Sequence, residues 1–313
     1  MSLLDRQMLF VTGKGGVGKT TVAAALARAA AAEGRRVVVA EVGGAARAAR
    51  LLGGKAGKPG AETQVGEGLW TVTIEPYKVM EEWIARILGS RALTSVLTRS
   101  NFFRAFADAA PGGMELGTVV KTWELSQPKR WDKNCRPYDL VIVDGPASGH
   151  AIGMLRTPGT FADIARVGPI ATQSQRVREW LEDYRSTAYV AVALPGELPV
   201  TETLEMGVRL RKSLGRRLET IVVNGVLPDR FSPEEVAEIA KAAPRRKRPR
   251  AVVSEIKQAD GRADAQHEQL ERLAAGADCP IHELPFLFKA ALEPEDVAGL
   301  GDVLAPALSN DDG

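Results

Sequence analysis

Between Gly13 and Thr21 the chain reads GKGGVGKTT. Three kinds of group that a triphosphate needs converge there. Glycines let the main chain wrap closely, so that its N–H groups can point at phosphate oxygens. Lys19 supplies a cation for the β and γ phosphates, and Thr20 supplies a hydroxyl for a magnesium ion. The string satisfies G-x-x-x-x-G-K-[ST] from Gly13 to Thr20. An apolar run precedes it and an alanine-rich run follows, so it sits between a predicted strand and a predicted helix whose positive end would add to the cradle. Gly13, Gly15, Gly16, Val17, Gly18, Lys19, Thr20 and Thr21 are therefore the candidate nucleotide contacts, with ATP and Mg²⁺ as the expected ligands. One residue is surplus to this chemistry. Lys14 follows the first glycine directly, and taken alone it is either a solvated loop lysine or a second cation for a phosphate.

The elements that must position these groups are legible as short β-branched runs: MLFVT (8–12), VVVAE (37–41), LWTVTI (69–74), LVIVD (140–144), YVAVAL (189–194) and TIVVNGV (220–226). Most are apolar throughout, as strands covered on both faces are. Helical stretches separate many of them, which predicts an α/β fold around a doubly wound, mostly parallel sheet. Ligands of such sheets lie beyond the carboxyl ends of the strands. The glycine loop, Glu41, Asp144 and Asn224 all fall at ends of that kind, and Asp144 is the acid expected to hold a magnesium-bound water. Residues 76–130 interrupt the alternation with helical spacing, for instance at Trp83 and Ile84, and with a break at Pro111-Gly112-Gly113. The reading is one P-loop domain over 1–313 with a helical insertion or cap at 76–130.

Bulk composition narrows the function. Of the 313 residues 45 % are hydrophobic and 26 % charged, and the net charge is only +2, so no global field draws the chain to nucleic acid or membrane. The basic run PRRKRPR (244–250) has no interleaved aromatic and reads as a solvated loop. Two cysteines, Cys135 and Cys279, stand far apart with no CxxC, which argues against a zinc staple or an iron–sulfur cluster within the chain. No targeting segment is read at MSLLDRQMLFVTG and no stretch is apolar enough to span a membrane, so the expectation is a cytoplasmic protein with no stable membrane insertion.

The spelling KGGVGKT resembles the deviant Walker loop of dimeric P-loop ATPases, the class of nitrogenase iron protein, MinD/ParA and the arsenite-pump ATPase ArsA. The resemblance implies that Lys14 crosses to a partner's nucleotide and stabilises charge on its γ-phosphate, as an arginine finger does. Asp144 opens D-G-P-A-S-G-H-A-I-G-M-L-R-T-P. This is similar to the D-T-A-P-T-G-H-x-x-x-x-L-x-x-P of the ArsA and tail-anchored-protein-targeting branch, with Gly149, His150, Leu155 and Pro158 at the family spacing. In that branch the segment is the γ-phosphate-sensing switch II; for His150 a buried structural role is the competing reading. PGGMELGTVVKTWEL (111–125) resembles the segment P-G-x-x-E-L. VVNGVLP (222–228) and LPFLFKAALEPEDVAGL (284–300) resemble the base-reading ends, implying Asn224, Pro285 and Phe286 beside the adenine.

One region departs from the family. Where D-P-A-H-S/N-L-S-D-A-F-G is found in that branch, this chain has EVGGAARAARLLGG (41–54). Glu41 takes the first acidic position and could hold a magnesium-bound water. Alignment on Gly53 puts Arg50 where the family has the acid that positions the attacking water, and no acid occurs from Val42 to Lys55. An arginine accepts no proton. The expectation is an ATPase with weakened or partner-dependent hydrolysis, forming a homodimer or pairing with a related ATPase, with a hydrophobic or membrane-protein cargo as a possible client. The alternatives are a pseudo-ATPase holding ATP structurally beside an active paralogue, and a MinD/ParA-type positioning ATPase. The absence of lysine and arginine from the last twenty residues opposes the latter. The arsenite-binding cysteines of the pump ATPases are not arranged here.

Overall fold

The computed structural model of the chain describes residues 2–43, 46–88, 112–228 and 247–309. The six apolar runs form strands β1 (Met8–Gly13), β2 (Val37–Glu41), β4 (Leu69–Thr73), β5 (Leu140–Ala147), β6 (Thr187–Ala193) and β7 (Thr220–Val226), joined by two edge strands, β3 (Thr63–Gly66) and β8 (Ile281–Pro285). They make one eight-stranded sheet in the order β3-β4-β2-β5-β1-β6-β7-β8. Among the described residues only β3 runs antiparallel, against β4. The chain leaves β1 toward β2 and later returns past it from β5 to β6. The sheet order therefore reverses beside β1, the place where open α/β sheets bind ligands.

Two cores follow from the two-residue period of a strand. Met8, Phe10, Val38, Val141 and Val143 point to one face, and Leu9, Val11, Val37, Val39 and Ile142 to the other. Helices α1 (Lys19–Ala32), α2 (Arg47–Leu51) and α9 (Pro294–Ser309) cover the second face. The alanines of α1 let α9 approach so closely that a Cβ on Gly301 would lie 2.9 Å from the Ala25 carbonyl oxygen. The first face is covered by α3 (Pro76–Leu88), α4 (Gly113–Leu125), α5 (Ser148–Ala165), α6 (Pro169–Glu182) and α7 (Glu197–Leu214), with Leu273 of α8 (Lys247–Gly276). Each fully buried aliphatic side chain contributes about 1.5–3 kcal/mol, so both covered faces are needed to hold the strand ends in place.

Within 76–130, Gly112 breaks the helices as expected, capping α4 at φ 85°. Val79, Met80, Trp83, Leu116, Val119 and Val120 of α3 and α4 are buried with the sheet residues of the first face. Residues 89–111, the middle of the insertion, lie outside the described residues. So do 244–246 of the basic run. Lys247–Arg250 begin α8 instead of continuing a loop, and Pro249 is tolerated there because a first-turn residue needs no amide donor.

Candidate nucleotide site

The glycine string joins the carboxyl end of β1 to the first turn of α1. Its backbone leaves little freedom at two positions. A Cβ on Gly13 would fall 2.1 Å from the Val192 carbonyl oxygen of β6, and one on Gly18, at φ +91°, would fall 2.2 Å from Asn224 Nδ2. Gly15 and Gly16 face open space, Gly16 at φ +85°. The loop is thus clamped from below and open above, the form of a cradle for an anion. Val17 is buried in the core and its carbonyl accepts a 2.9 Å hydrogen bond from Asn224 Nδ2. Asn224, at the end of β7, therefore braces the loop through its amide nitrogen. Pro285 closes β8 opposite Val226, and the Phe286 amide donates to Val226 O at 2.8 Å. Phe286 is exposed and meets Phe288 edge to face, their centroids 4.8 Å apart. Asn224, Pro285 and Phe286 so stand at the same carboxyl edge of the sheet as the loop.

Lys19 folds back over the loop. Its ammonium donates to Lys14 O at 3.0 Å and to Gly13 O at 3.3 Å. Burial holds it below the ordinary lysine value, and the Asp144 carboxylate only partly opposes this. Thr20 donates its hydroxyl to Asp144 Oδ2 at 2.6 Å. Glu41, the last residue of β2, and Asp144, three residues before the end of β5, which runs on to Ala147, stand in direct register on adjacent parallel strands, and both are buried. Burial pushes the Asp144 carboxyl up, against the Thr20 hydrogen bond and the charges of Lys19 and Arg47. Burial likewise pushes Glu41 up. Amide hydrogen bonds from Ala48 and Arg47 pull it down, and the neighbouring Asp144 charge raises it again. Two desolvated carboxyls, a hydroxyl and a lysine on one strand edge are a donor set short of positive charge. Oxygen-rich sites of this kind suit Mg²⁺, and the residues present fit that ion.

The switch I stretch is less open than its sequence suggests. Glu41 Oε1 accepts the amides of Arg47 at 2.8 Å and Ala48 at 3.2 Å, so one carboxylate oxygen caps α2. Arg47 is the arginine whose charge acts on both Asp144 and Glu41. Arg50, singled out by alignment on Gly53, is exposed in the last turn of α2, between buried Ala49 and Leu51. In switch II, His150 is exposed in the first turn of α5, so the buried structural reading does not hold for it. Leu155 and Pro158 are buried in the same helix. Proline leaves the carbonyl four residues back without its amide partner. Here that carbonyl, Met154 O, accepts the Thr157 hydroxyl at 2.7 Å.

Two contacts were not foreseeable from motif spacing. The Arg47 amide bonds Glu41 only because α2 starts where it does. Lys14 Nζ lies 2.5 Å from Glu202 Oε1 of α7, and nothing in the sequence of that helix marks Glu202 out from its other glutamates.

Comparison with known proteins gives a consistent picture. The family model for anion-transporting ATPases, ArsA, matches residues 6–170, a span that contains the loop, Glu41, Asp144 and His150. The chain is 31 % identical over 238 residues to the ATPase BagA of Mycobacterium tuberculosis H37Rv, covering 74 % of this chain and 68 % of that protein. It is 25 % identical over 236 residues to an arsenical pump-driving ATPase of Acidiphilium multivorum, covering 71 % of this chain and 40 % of that protein. To an arsenical pump-driving ATPase of Escherichia coli it is 26 % identical over 235 residues, with 70 % and 39 % covered.

Proposed function

The chain belongs to the anion-transporting ATPase family, and on that premise we propose that it is an ATP-driven, dimeric switch with slow hydrolysis of its own. The observation that carries the nucleotide assignment is the clamped glycine loop with Lys19 and the Thr20–Asp144 pair at one strand edge. In this reading the amides of Gly13–Thr21 and the Lys19 ammonium take the triphosphate. Thr20 and Asp144, with the remaining oxygen of Glu41, would hold Mg²⁺, which supplies charge neutralisation at the phosphates. Asn224 keeps its side-chain oxygen for the base edge while its nitrogen braces the loop, and Pro285 and Phe286 flank the adenine. Replacing Asp144 with Asn should cost most of the magnesium-dependent part of ATP affinity, about 10- to 100-fold, while metal-free ATP binding changes far less. Calorimetric titrations with and without Mg²⁺ measure both; equal losses in the two would remove Asp144 from the metal site.

Slow turnover is supported by the switch I stretch. No acid lies between Val42 and Lys55, and one oxygen of Glu41 is already committed to α2. Arg47 adds a positive charge that acts on the carboxylate pair, but it offers no base with which to orient the attacking water. Phosphate release by the purified chain with Mg-ATP should fall well below the roughly 1–10³ per second common for enzymes, and should rise on adding a related ATPase that carries the missing acid. An ordinary rate from the chain alone would overturn the weakened-hydrolysis reading. If there is no rise with any such partner, the chain acts as a pseudo-ATPase holding ATP structurally.

The name of the pump-driving relatives does not extend an arsenite role to this chain. Soft metalloid chemistry runs through thiolates. Burial pushes the Cys279 thiol up to about 11, and burial and the Glu62 charge also raise Cys135. A hydrophobic client remains part of the proposal, supported by Ile164, Val167 and Ile170 standing exposed around the α5–α6 junction. No helix among the described residues is long and apolar enough to cross a membrane.

A further inference from the structure

We propose that Glu202 is a positioning residue that holds Lys14 within its own subunit and must release it before two subunits can close over nucleotide. The inference rests on the reading of this chain as a nucleotide-driven dimer. The Lys14 side chain, unlike its main chain, is given no task in its own phosphate cradle. Its ammonium is 2.5 Å from Glu202 Oε1, and the two side chains are 35 % and 37 % exposed. The pair is therefore open to exchange and does not form part of the packed core. Glu202 lies in the second turn of α7, the helix that follows β6, and β6 is also where the Val192 carbonyl backs Gly13. The loop and α7 are thus fixed to the same strand, which sets Lys14 against Glu202. The neighbouring acid Glu205 is engaged elsewhere, with Arg209 at 2.8 Å. A lysine that is to reach another subunit's phosphate has to give up this carboxylate, once in each subunit. The pair accordingly opposes closure until the partner's phosphate offers a stronger anion.

An exposed ion pair shifts an equilibrium by a factor of about 1.5–5. Two such pairs open per dimer, so removing both should multiply the effect. With Mg²⁺ and a slowly hydrolysed ATP analogue, the dimer dissociation constant of Glu202→Gln, read by analytical ultracentrifugation, should fall about 2- to 25-fold below wild type. Glu202→Asp should give a smaller change in the same direction. In Lys14→Ala, adding Glu202→Gln should have no further effect. A second readout needs neither nucleotide nor dimer: acylation of Lys14 in the intact chain, followed by peptide mass spectrometry, should run several-fold faster in Glu202→Gln. An unchanged dimer constant, or an unchanged Lys14 labelling rate, overturns the role of Glu202. Failure of the wild-type chain to take up the analogue at all would instead sink the nucleotide reading on which it rests.

Discussion

Replacing Lys19 with methionine should weaken Mg-ATP uptake by at least about 100-fold while leaving the unliganded protein as stable as wild type or slightly more so. The first half follows from charge. The Lys19 ammonium lies against the loop, bonded to the Gly13 and Lys14 carbonyls, and hydrogen bonds to charged groups are worth about 1.5–3 kcal/mol each. Losing two of them to a triphosphate corresponds to a factor of about 10² or more. The second half follows from the direction of its titration. Burial depresses the ammonium's pKa, so the charged form is held in the folded chain at a cost. A folded-state pKa below the unfolded one means that protonation favours unfolding. Methionine removes that cost and keeps the length and apolar stem of the side chain. The loop carbonyls of Gly13 and Lys14 lose a donor, but the loop faces open space above and water can replace it. Calorimetry for binding and thermal unfolding for stability should therefore move in different directions. A variant that binds within threefold of wild type would remove this loop from phosphate recognition. Arginine at the same position should not rescue it, because a planar guanidinium cannot occupy the space of a compact ammonium between two carbonyls.

The parts of this site that a sequence reveals are those written in consecutive residues. GKGGVGKTT is a loop because its glycines are where φ must be positive or where another strand of the same chain presses in, at Gly13, Gly16 and Gly18. The buried strands are legible for a similar reason: a run such as LVIVD buries every residue from Leu140 to Asp144, and burial on both faces leaves no polar alternation to confuse. The two edge strands are not legible. TQVG at 63–66 is four residues, none of them buried, and IHELP at 281–285 buries only Leu284, so neither carries the apolar run by which the others were found. The same limit governs the side chains. Asp144 is signalled by closing the apolar run LVIVD, although β5 itself continues to Ala147, whereas Glu202 is 188 positions from Lys14 and meets it only because β1 and β6 are neighbours. Arg50 was singled out by counting back from Gly53. What touches Glu41 is the main chain of α2, whose Arg47 and Ala48 amides its carboxylate caps, fixing where that helix begins.

The largest effect on stability should come from a cluster that no motif marks. Arg130 lies between Glu62, next to β3, and Glu124 of α4. Its guanidinium donates to Glu124 Oε1 at 2.9 Å and to Glu62 Oε1 at 2.6 Å, with further bonds at 3.1 and 3.2 Å. Lys121 bonds both carboxylates, and the Tyr138 hydroxyl donates to Glu62 at 2.9 Å. The cluster fastens α4 to the edge of the sheet that carries β4 and β2, and so to the strand that ends in Glu41. Arg130→Met leaves one buried carboxylate, Glu124, and one partly buried, Glu62, with one lysine between them. Removing one member of such a group costs about 3–5 kcal/mol, whereas replacing all of it by apolar residues is often neutral. The single variant should therefore melt about 5–8 °C lower, at about 2.1 cal/mol/K of unfolding entropy per residue. Changing Glu62, Glu124 and Arg130 together to Leu, Leu and Met should recover most of that loss. The pH dependence carries its own sign. Burial pushes Glu62 and Glu124 up, but their hydrogen bonds to Arg130 and the charges of Lys121 and Arg130 outweigh it, and both end below the ordinary value of 4.5. Their contribution is fully present above that value and is lost as pH falls through the depressed one. In Arg130→Met the same carboxyls have burial without the guanidinium. Their pKa values rise, and protonation then relieves the folded state, so the variant should regain stability on mild acidification where the wild type does not. Parallel melting curves for the two proteins across the acid range would show that the guanidinium is not what holds these carboxylates ionised.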